Sequence, residues 1–151
     1  MKLNAGCGQW IMPDAVNLDA APLPGVDVVH DLDQTPWPFD AATFDAVEAW
    51  HVFEHLWEPV AFMREAWRVL KPGGLLFIAV PHYQSRNAFT DPTHKRFCTE
   101  ETWDYWCLGS ALNAQFGGAY SAGRDYEKVS VIHIKDEIHD DLHATLRRPA
   151  E

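Results

Sequence analysis

Cysteine is scarce in this sequence and badly placed for cross-linking. Cys7, Cys98 and Cys107 are odd in number and none sits in a C-x-x-C pair, which argues against a disulfide framework and against a cysteine-built zinc site. Long hydrophobic runs are missing as well: nothing approaches the roughly 18 apolar residues of a membrane span. The opening MKLNAGCG has no apolar secretory core, so a soluble, cytoplasmic chain is expected. Positive charge is nearly absent from the first part. Residues 1–60 hold ten acids and a single base, Lys2, while residues 61–151 hold twelve acids and eleven bases. Such a first half repels phosphate backbones and argues against nucleic acid as a partner; a cationic or neutral small ligand suits it better. No repeat, low-complexity tract or linker interrupts the 151 residues. One domain, 1–151, is expected, burying about two-thirds of its unfolded surface.

What is present alternates between strands and turns. Lys2 to Ala5 reads as a short strand entering Gly6-Cys7-Gly8. Residues 15–19 (AVNLD) and 26–31 (VDVVHD) read as second and third strands, each ending in an acid, and 44–50 (FDAVEAW) as a fourth. Pro59 suits the first turn of a helix whose apolar stripe is Val60, Met63, Trp67 and Leu70, with Arg64, Glu65 and Arg68 off it. Lys71-Pro72-Gly73-Gly74 stops that helix, and LLFIAV (75–80) is the unbroken apolar run of a strand covered on both faces. Thr99 caps a further helix start before Trp103 and Trp106. KVSVIHIKDEI and DLHATLRRP read as two antiparallel strands closing the sheet. The class is α/β.

A strand, a G-x-G turn and a second strand ending in an acid is the arrangement by which open α/β sheets hold an adenosine ligand. Glycine lets the backbone approach it, and the carboxylate takes the two ribose hydroxyls. Ile11 occupies the place of the third glycine of a dinucleotide fingerprint, so a ligand with adenosine but no pyrophosphate fits better. Taken alone, AGCG is equally well a tight turn.

The turn is one of five motifs in order. LNAGCG (3–8), AVNLD (15–19), VVHDL (28–32), PWPFDAATFDAVEAWHVFEHL (36–56) and EAWRVLKPGGLLFIAVPH (65–82) together resemble the class I S-adenosylmethionine-dependent methyltransferases. The resemblance implies a Rossmann-like methyltransferase sheet of order 3-2-1-4-5-7-6, mostly parallel, with an antiparallel C-terminal hairpin. It implies S-adenosyl-L-methionine as methyl donor and S-adenosyl-L-homocysteine as product. The donor residues it implies are Asn4, Ala5, Gly6, Gly8, Asp19, Asp31, Leu32 and Trp50, with Asp19 on the ribose and Asp31 and Leu32 beside the adenine.

The segment His51-Val52-Phe53-Glu54-His55 also spells H-x-x-E-H, an inverted zinc-hydrolase pattern. Zinc hydrolysis needs a third, distant ligand that no downstream motif supplies, so this function ranks third. Some methyltransferases of the fold carry an E-x-x-E-H metal site here. His51, Glu54 and His55, with His82, are the residues that would imitate it, but His51 replaces the first carboxylate. The expectation is pocket or capping residues and no metal.

The chain departs from the family pattern in several places. Asn4 stands where an acid usually helps hold the donor's amino group. Only six residues, Gln9 to Asp14, separate Gly8 from the second strand, and six, Ala20 to Gly25, separate Asp19 from the third. A parallel crossover normally takes a dozen or more residues with a helix, so the first crossover helices should be shortened or absent. No N-terminal extension supplying a substrate cap is expected, and a homodimer is one way to complete the pocket. Beyond residue 82, DPTHKRFCTEETWDYW (91–106) resembles a segment of trimmed bacterial methyltransferases. His82, Tyr83, Asp91 and His94 are candidate acceptor-pocket residues. His94, then His55, are the candidate catalytic bases, since histidine exchanges protons near neutral pH. Lys95-Arg96 is either a solvated pair or a contact for an anionic acceptor; Trp103, Tyr105 and Trp106 either stack on an acceptor or form core. The expected function is methyl transfer to a small molecule or saccharide; the alternative is a donor-binding or partner module without turnover.

Overall fold

The computed structural model describes residues 1–150. Strands β1 (Lys2–Ala5), β2 (Ala15–Asp19), β3 (Val28–Val29), β4 (Phe44–Trp50), β5 (Leu70–Pro81), β6 (Glu127–Lys135) and β7 (Asp140–Arg147) form one sheet. Its order is β3-β2-β1-β4-β5-β7-β6, as the resemblance implies. The first five strands pair in parallel, and β7 runs antiparallel between β5 and β6. Among the described residues no helix is long and apolar enough to cross a membrane.

Alternation along the strands sets the core. Leu3, Ala5, Leu18, Val47, Ala49, Leu76, Ile78, Leu142, Ala144 and Leu146 are buried in one cluster, covered by helix α1 (Pro59–Val69). The buried stripe of α1 is Phe62, Met63, Ala66 and Val69, rotated from the expected Val60, Met63, Trp67 and Leu70. Phe62 takes the inner place because it packs edge-on against Trp37 and Phe53, at 5.3 and 5.9 Å between ring centres. Trp67 lies at the flank, its indole N–H donating to the Asp125 carbonyl at 3.1 Å. Glu65, expected off the stripe, is buried too. A buried carboxylate needs partners, and here Arg68 donates to both oxygens at 2.8 Å while the Trp37 N–H donates at 2.7 Å.

The remaining differences are local. β3 is two residues rather than six, flanked by Asp27 N–H to Asn17 O at 2.8 Å and His30 N–H to Asp19 O at 2.9 Å. Leu70 already pairs with Phe44 before the register shifts, so Lys71–Gly74 is a bulge within β5 rather than a loop before it. The segment opened by Thr99 is a 3-10 helix, Glu100–Trp106. Two helices have no sequence signal that was read: α2 (Arg86–Thr90) and α3 (Ala111–Tyr120). ALNAQFGGAY carries two glycines and no clean stripe; its Ser110 cap, accepting the Asn113 N–H at 2.9 Å, starts it.

The first two crossovers contain no helix, as their length demanded. Side-chain amides do the bridging instead. Asn4 Nδ2 donates to Trp10 O at 2.7 Å and to Asn17 Oδ1 at 3.0 Å, and Asn17 also holds the Met12 N–H at 2.9 Å and the Met12 carbonyl at 3.0 Å. Right-handed crossovers running outward in opposite directions from β1 and β4 fall on opposite faces of a sheet. Without the first set, the face opposite α1 is left to side chains such as Lys2, Glu48, Trp50 and Phe77, with Trp50 resting on Phe77 at 4.6 Å.

Candidate donor cavity and acceptor cleft

The chain turns sharply where β1 ends. The Gly6 and Cys7 N–H groups both donate to Leu18 O, at 2.8 and 2.9 Å. Gly6 and Gly8 have φ of +72° and +50°, a region that glycine enters without steric cost. A Cβ on Gly6 would lie 2.5 Å from Val52 Cγ2, whereas the space at Gly8 is open. The Gly8 N–H is aimed at Asp19, donating to Oδ2 at 2.8 Å.

Gly6, Asp19, Ala20, Asp31, Leu32, Asp33, His51, Val52, His55 and Leu56 line a cavity of about 270 Å³ at the carboxyl ends of β1, β2 and β4. Three carboxylates and one apolar floor suit a cationic ligand with a flat ring. Of the expected donor residues, Gly6, Asp19, Asp31 and Leu32 line it. Ala5 is buried beneath the turn, and Gly8 acts through its bond to Asp19. Asn4 and Trp50 lie elsewhere. The Asn4 amide nitrogen donates to the crossover network, and Trp50 faces the uncovered side of the sheet, its indole donating to Glu48 at 3.1 Å.

A second hollow, of about 750 Å³, adjoins the first and is lined by His51, Glu54, His55, Asn87, Asp91, His94 and Asp141 among others. His51 and His55 belong to both walls. The loop carrying His94 is fastened to the 3-10 turn Phe53–His55: the Lys95 and Arg96 N–H groups donate to Glu54 O at 2.7 and 3.2 Å, and Lys95 Nζ to His55 O at 2.7 Å. Arg96 reaches Trp57 O at 2.8 Å. This pair therefore ties the loop to the turn. Trp103 and Trp106 are core against Phe53, and His82 is buried, stacked on His133 at 3.8 Å and away from the cleft.

His51, outside the expected catalytic pair of His94 and His55, stands between the two hollows with φ of +53°, unusual for a residue with a side chain. Its Nδ1 lies 3.4 Å from Glu54 Oε1 and its Nε2 3.5 Å from Asp141 Oδ2. The Glu54 carboxylate raises the His51 pKa above its ordinary value, against the opposing effect of burial.

A seven-stranded sheet of this order, with a glycine turn and an acid closing β2, is a methyltransferase sheet, and the sequence profile described as "Methyltransferase domain" matches residues 10–78. Over that stretch, and in its fold, the chain is similar to the S-adenosylmethionine-dependent methyltransferases. It is 32% identical to a probable S-adenosylmethionine-dependent methyltransferase of Mycolicibacterium smegmatis, over 62% of this chain and 44% of that protein. It thus spans less than half the length of that curated relative. A methyltransferase structure from Thermotoga maritima superposes with a TM-score of 0.66 at 16% identity, covering 97% of this chain and 80% of the other. The Burkholderia thailandensis 1,6-didemethyltoxoflavin N1-methyltransferase, solved with its acceptor and S-adenosylhomocysteine, gives 0.61 at 13% identity, covering 98% and 70%.

Proposed function

We propose that this chain transfers the methyl group of S-adenosylmethionine to a small-molecule or saccharide acceptor. The donor lies in the cavity closed by Gly6 and Asp19, and the acceptor in the adjoining cleft. The observation that carries this is the shared wall. His51 and His55 line both hollows, so the two adjoin, and a sulfonium methyl in one comes into direct contact with a nucleophile in the other beside these side chains. In-line displacement needs little beyond that positioning. An acceptor oxygen or nitrogen lone pair attacks the methyl carbon, the carbon–sulfur bond breaks, and its electron pair leaves with the neutral thioether. Asp19 accepts the ribose hydroxyls, and Asp31 and Leu32 border the adenine. The acids of the cavity favour the cationic donor over the neutral product, which assists release. His55 and His94 are the groups in the cleft that take the acceptor's proton.

Calorimetric titration with S-adenosylhomocysteine tests the donor half. Binding at one site per chain is expected, and its absence in the folded protein would sink the reading. A donor-binding module without turnover is the second reading. The uncovered sheet face favours it, since a partner could occupy that face. Binding of S-adenosylhomocysteine with no S-adenosylmethionine consumption across a panel of hydroxyl and amine acceptors would select it.

A further inference from the structure

Glu54 presents an anomaly. Its side chain is 1% exposed, and neither carboxylate oxygen takes part in a hydrogen bond; the His51 imidazole stands off at 3.4 Å. A buried carboxylate that accepts no hydrogen bond, and whose one charged neighbour is an imidazole at ion-pair distance, is costly enough that a further ligand is normally present.

Two histidines converge on it in the tautomer a cation needs. His94 Nδ1 lies 2.9 Å from Ala88 O. A carbonyl only accepts, so Nδ1 carries the proton; Nε2 keeps the lone pair of the neutral ring, with Asp91 Oδ2 standing 3.8 Å from it. His55 Nδ1 lies 2.9 Å from Thr93 Oγ1, and that hydroxyl gives its own proton to Asp91 Oδ1 at 2.7 Å. Thr93 therefore accepts from His55 Nδ1–H, and His55 Nε2 is also free. One donor atom from each of Glu54, His55 and His94 lies within 4.8 Å of the others. Ligand atoms at the roughly 2.0–2.2 Å bonds of a tetrahedral cation lie about 3.4 Å from one another, so the three need only draw together modestly. Ligand histidines held through Nδ1–H by a carbonyl and by a hydroxyl–carboxylate relay are what metal sites use to fix ring orientation.

We propose that Glu54, His55 and His94 form a mononuclear site for a divalent first-row transition cation in the wall of the acceptor cleft. This replaces the expectation that H-V-F-E-H holds no metal. Folding substitutes His94 for His51 as the second nitrogen ligand. The other grouping of this kind, His82, Glu100 and His133, fails the same tautomer criterion. His82 Nδ1 accepts the Gln84 N–H at 3.2 Å, so its Nε2 carries the proton and faces Glu100 as a donor. The remaining positions of the ion open on the cleft, where a coordinated hydroxyl of the acceptor would become more acidic; with the ion bound, His55 and His94 serve as ligands rather than bases, and the proton passes to solvent. That use rests on the acceptor-cleft reading; cation binding itself does not.

The test uses protein purified without metal-affinity resin and stripped with chelator. It is then titrated with Zn2+ by calorimetry and, after dialysis, assayed for metal by elemental analysis. One zinc per chain is expected. Glu54→Gln, which keeps the shape, and His94→Ala should each weaken binding at least about 10-fold, while His82→Ala should leave it unchanged. Glu54→Gln should retain wild-type affinity for S-adenosylhomocysteine. No zinc on the wild type, or undiminished binding in both Glu54→Gln and His94→Ala, overturns the site. Zinc binding with no affinity for S-adenosylhomocysteine would instead overturn the donor reading and leave the site standing.

Discussion

The carboxylate of Asp19 is held by the backbone it faces: Oδ2 accepts the Gly8 N–H at 2.8 Å and Oδ1 the Ala21 N–H at 2.9 Å. Each oxygen keeps a further lone pair for a ligand hydroxyl. Asp19→Ala should therefore lower affinity for S-adenosylhomocysteine about 10- to 1000-fold, from charge-assisted bonds of roughly 1.5–3 kcal/mol each. From the sequence alone, little loss of stability is expected, the acid being solvated in the empty site. The two backbone bonds change that: the glycine turn loses its anchor, and a fall of roughly 1–3 kcal/mol in unfolding free energy should accompany the weaker binding. Asp19→Asn should lose less of both. Calorimetry with parallel urea melts separates the effects, and wild-type affinity in Asp19→Ala would remove Asp19 from the site.

Gly6 and Gly8 should respond differently. Gly8→Val is expected from the sequence to abolish donor binding, and its φ of +50° is strained for a β-branched residue, though no atom lies within 4 Å of a Cβ there. Gly6→Ala drives a methyl into Val52, which lines the cavity. Its S-adenosylhomocysteine affinity should fall more than about 10-fold, given roughly 1–3 kcal/mol of local strain. Adding Val52→Ala should recover part of that loss. No recovery in the double variant would show that the glycine serves by φ alone.

Glu65 supplies a pH test remote from the cleft. Burial alone would raise its pKa, but the bonds from Arg68 and the Trp37 N–H outweigh it and leave the carboxyl below its ordinary value. A group whose pKa is depressed by folding stabilises the fold above its unfolded pKa, and that stability disappears as pH falls through the folded value. Glu65→Gln should thus be less stable than wild type at pH 7, with the gap closing below about pH 4. Urea melts at several pH values measure it; a gap independent of pH would mean that the carboxylate charge contributes nothing.

The thiols should be inert in the native protein. Burial pushes Cys98 and Cys107 up to about 12, and it raises Cys7 as well, helped by the Asp19 charge. Since the thiolate is the reactive form, a disulfide-exchange reagent at pH 8 should label none of the three natively and all three in denaturant. Rapid native labelling of Cys7 would show that the glycine turn opens readily.

The helix-free crossovers and the acid closing β2 were legible because each is written in a few neighbouring residues, whereas the strand order came through the family resemblance. Alternation in β1 and β4 also signals which of the implied donor residues face elsewhere. Asn4 falls between the buried Leu3 and Ala5, and Trp50 follows the buried Ala49, so both point away from the α1 side and from the cavity. What no local pattern carried was tertiary. The inward turn of Phe62 depends on Trp37, the burial of Glu65 on Arg68, and the meeting of His94 with Glu54 on a loop clasped through Lys95 and Arg96.

The helix-free crossovers also divide the chain by the distance it must loop. Lys2 pairs with Ala15 and Leu18 with Val28, whereas Lys2 reaches forward to Ala46 and Leu75 to Arg147. The entropy lost in closing a loop rises with its length, about 0.6 kcal/mol per doubling. Local contacts also form sooner than distant ones. By that measure the β6–β7 hairpin, with Lys135 opposite Asp140, and the corner holding Gly6, Gly8 and Asp19 are the quickest parts of the sheet to assemble. The slow event is the docking of β7 against β5, so a newly made chain organises its glycine-turn corner while the C-terminal hairpin is still seeking its place.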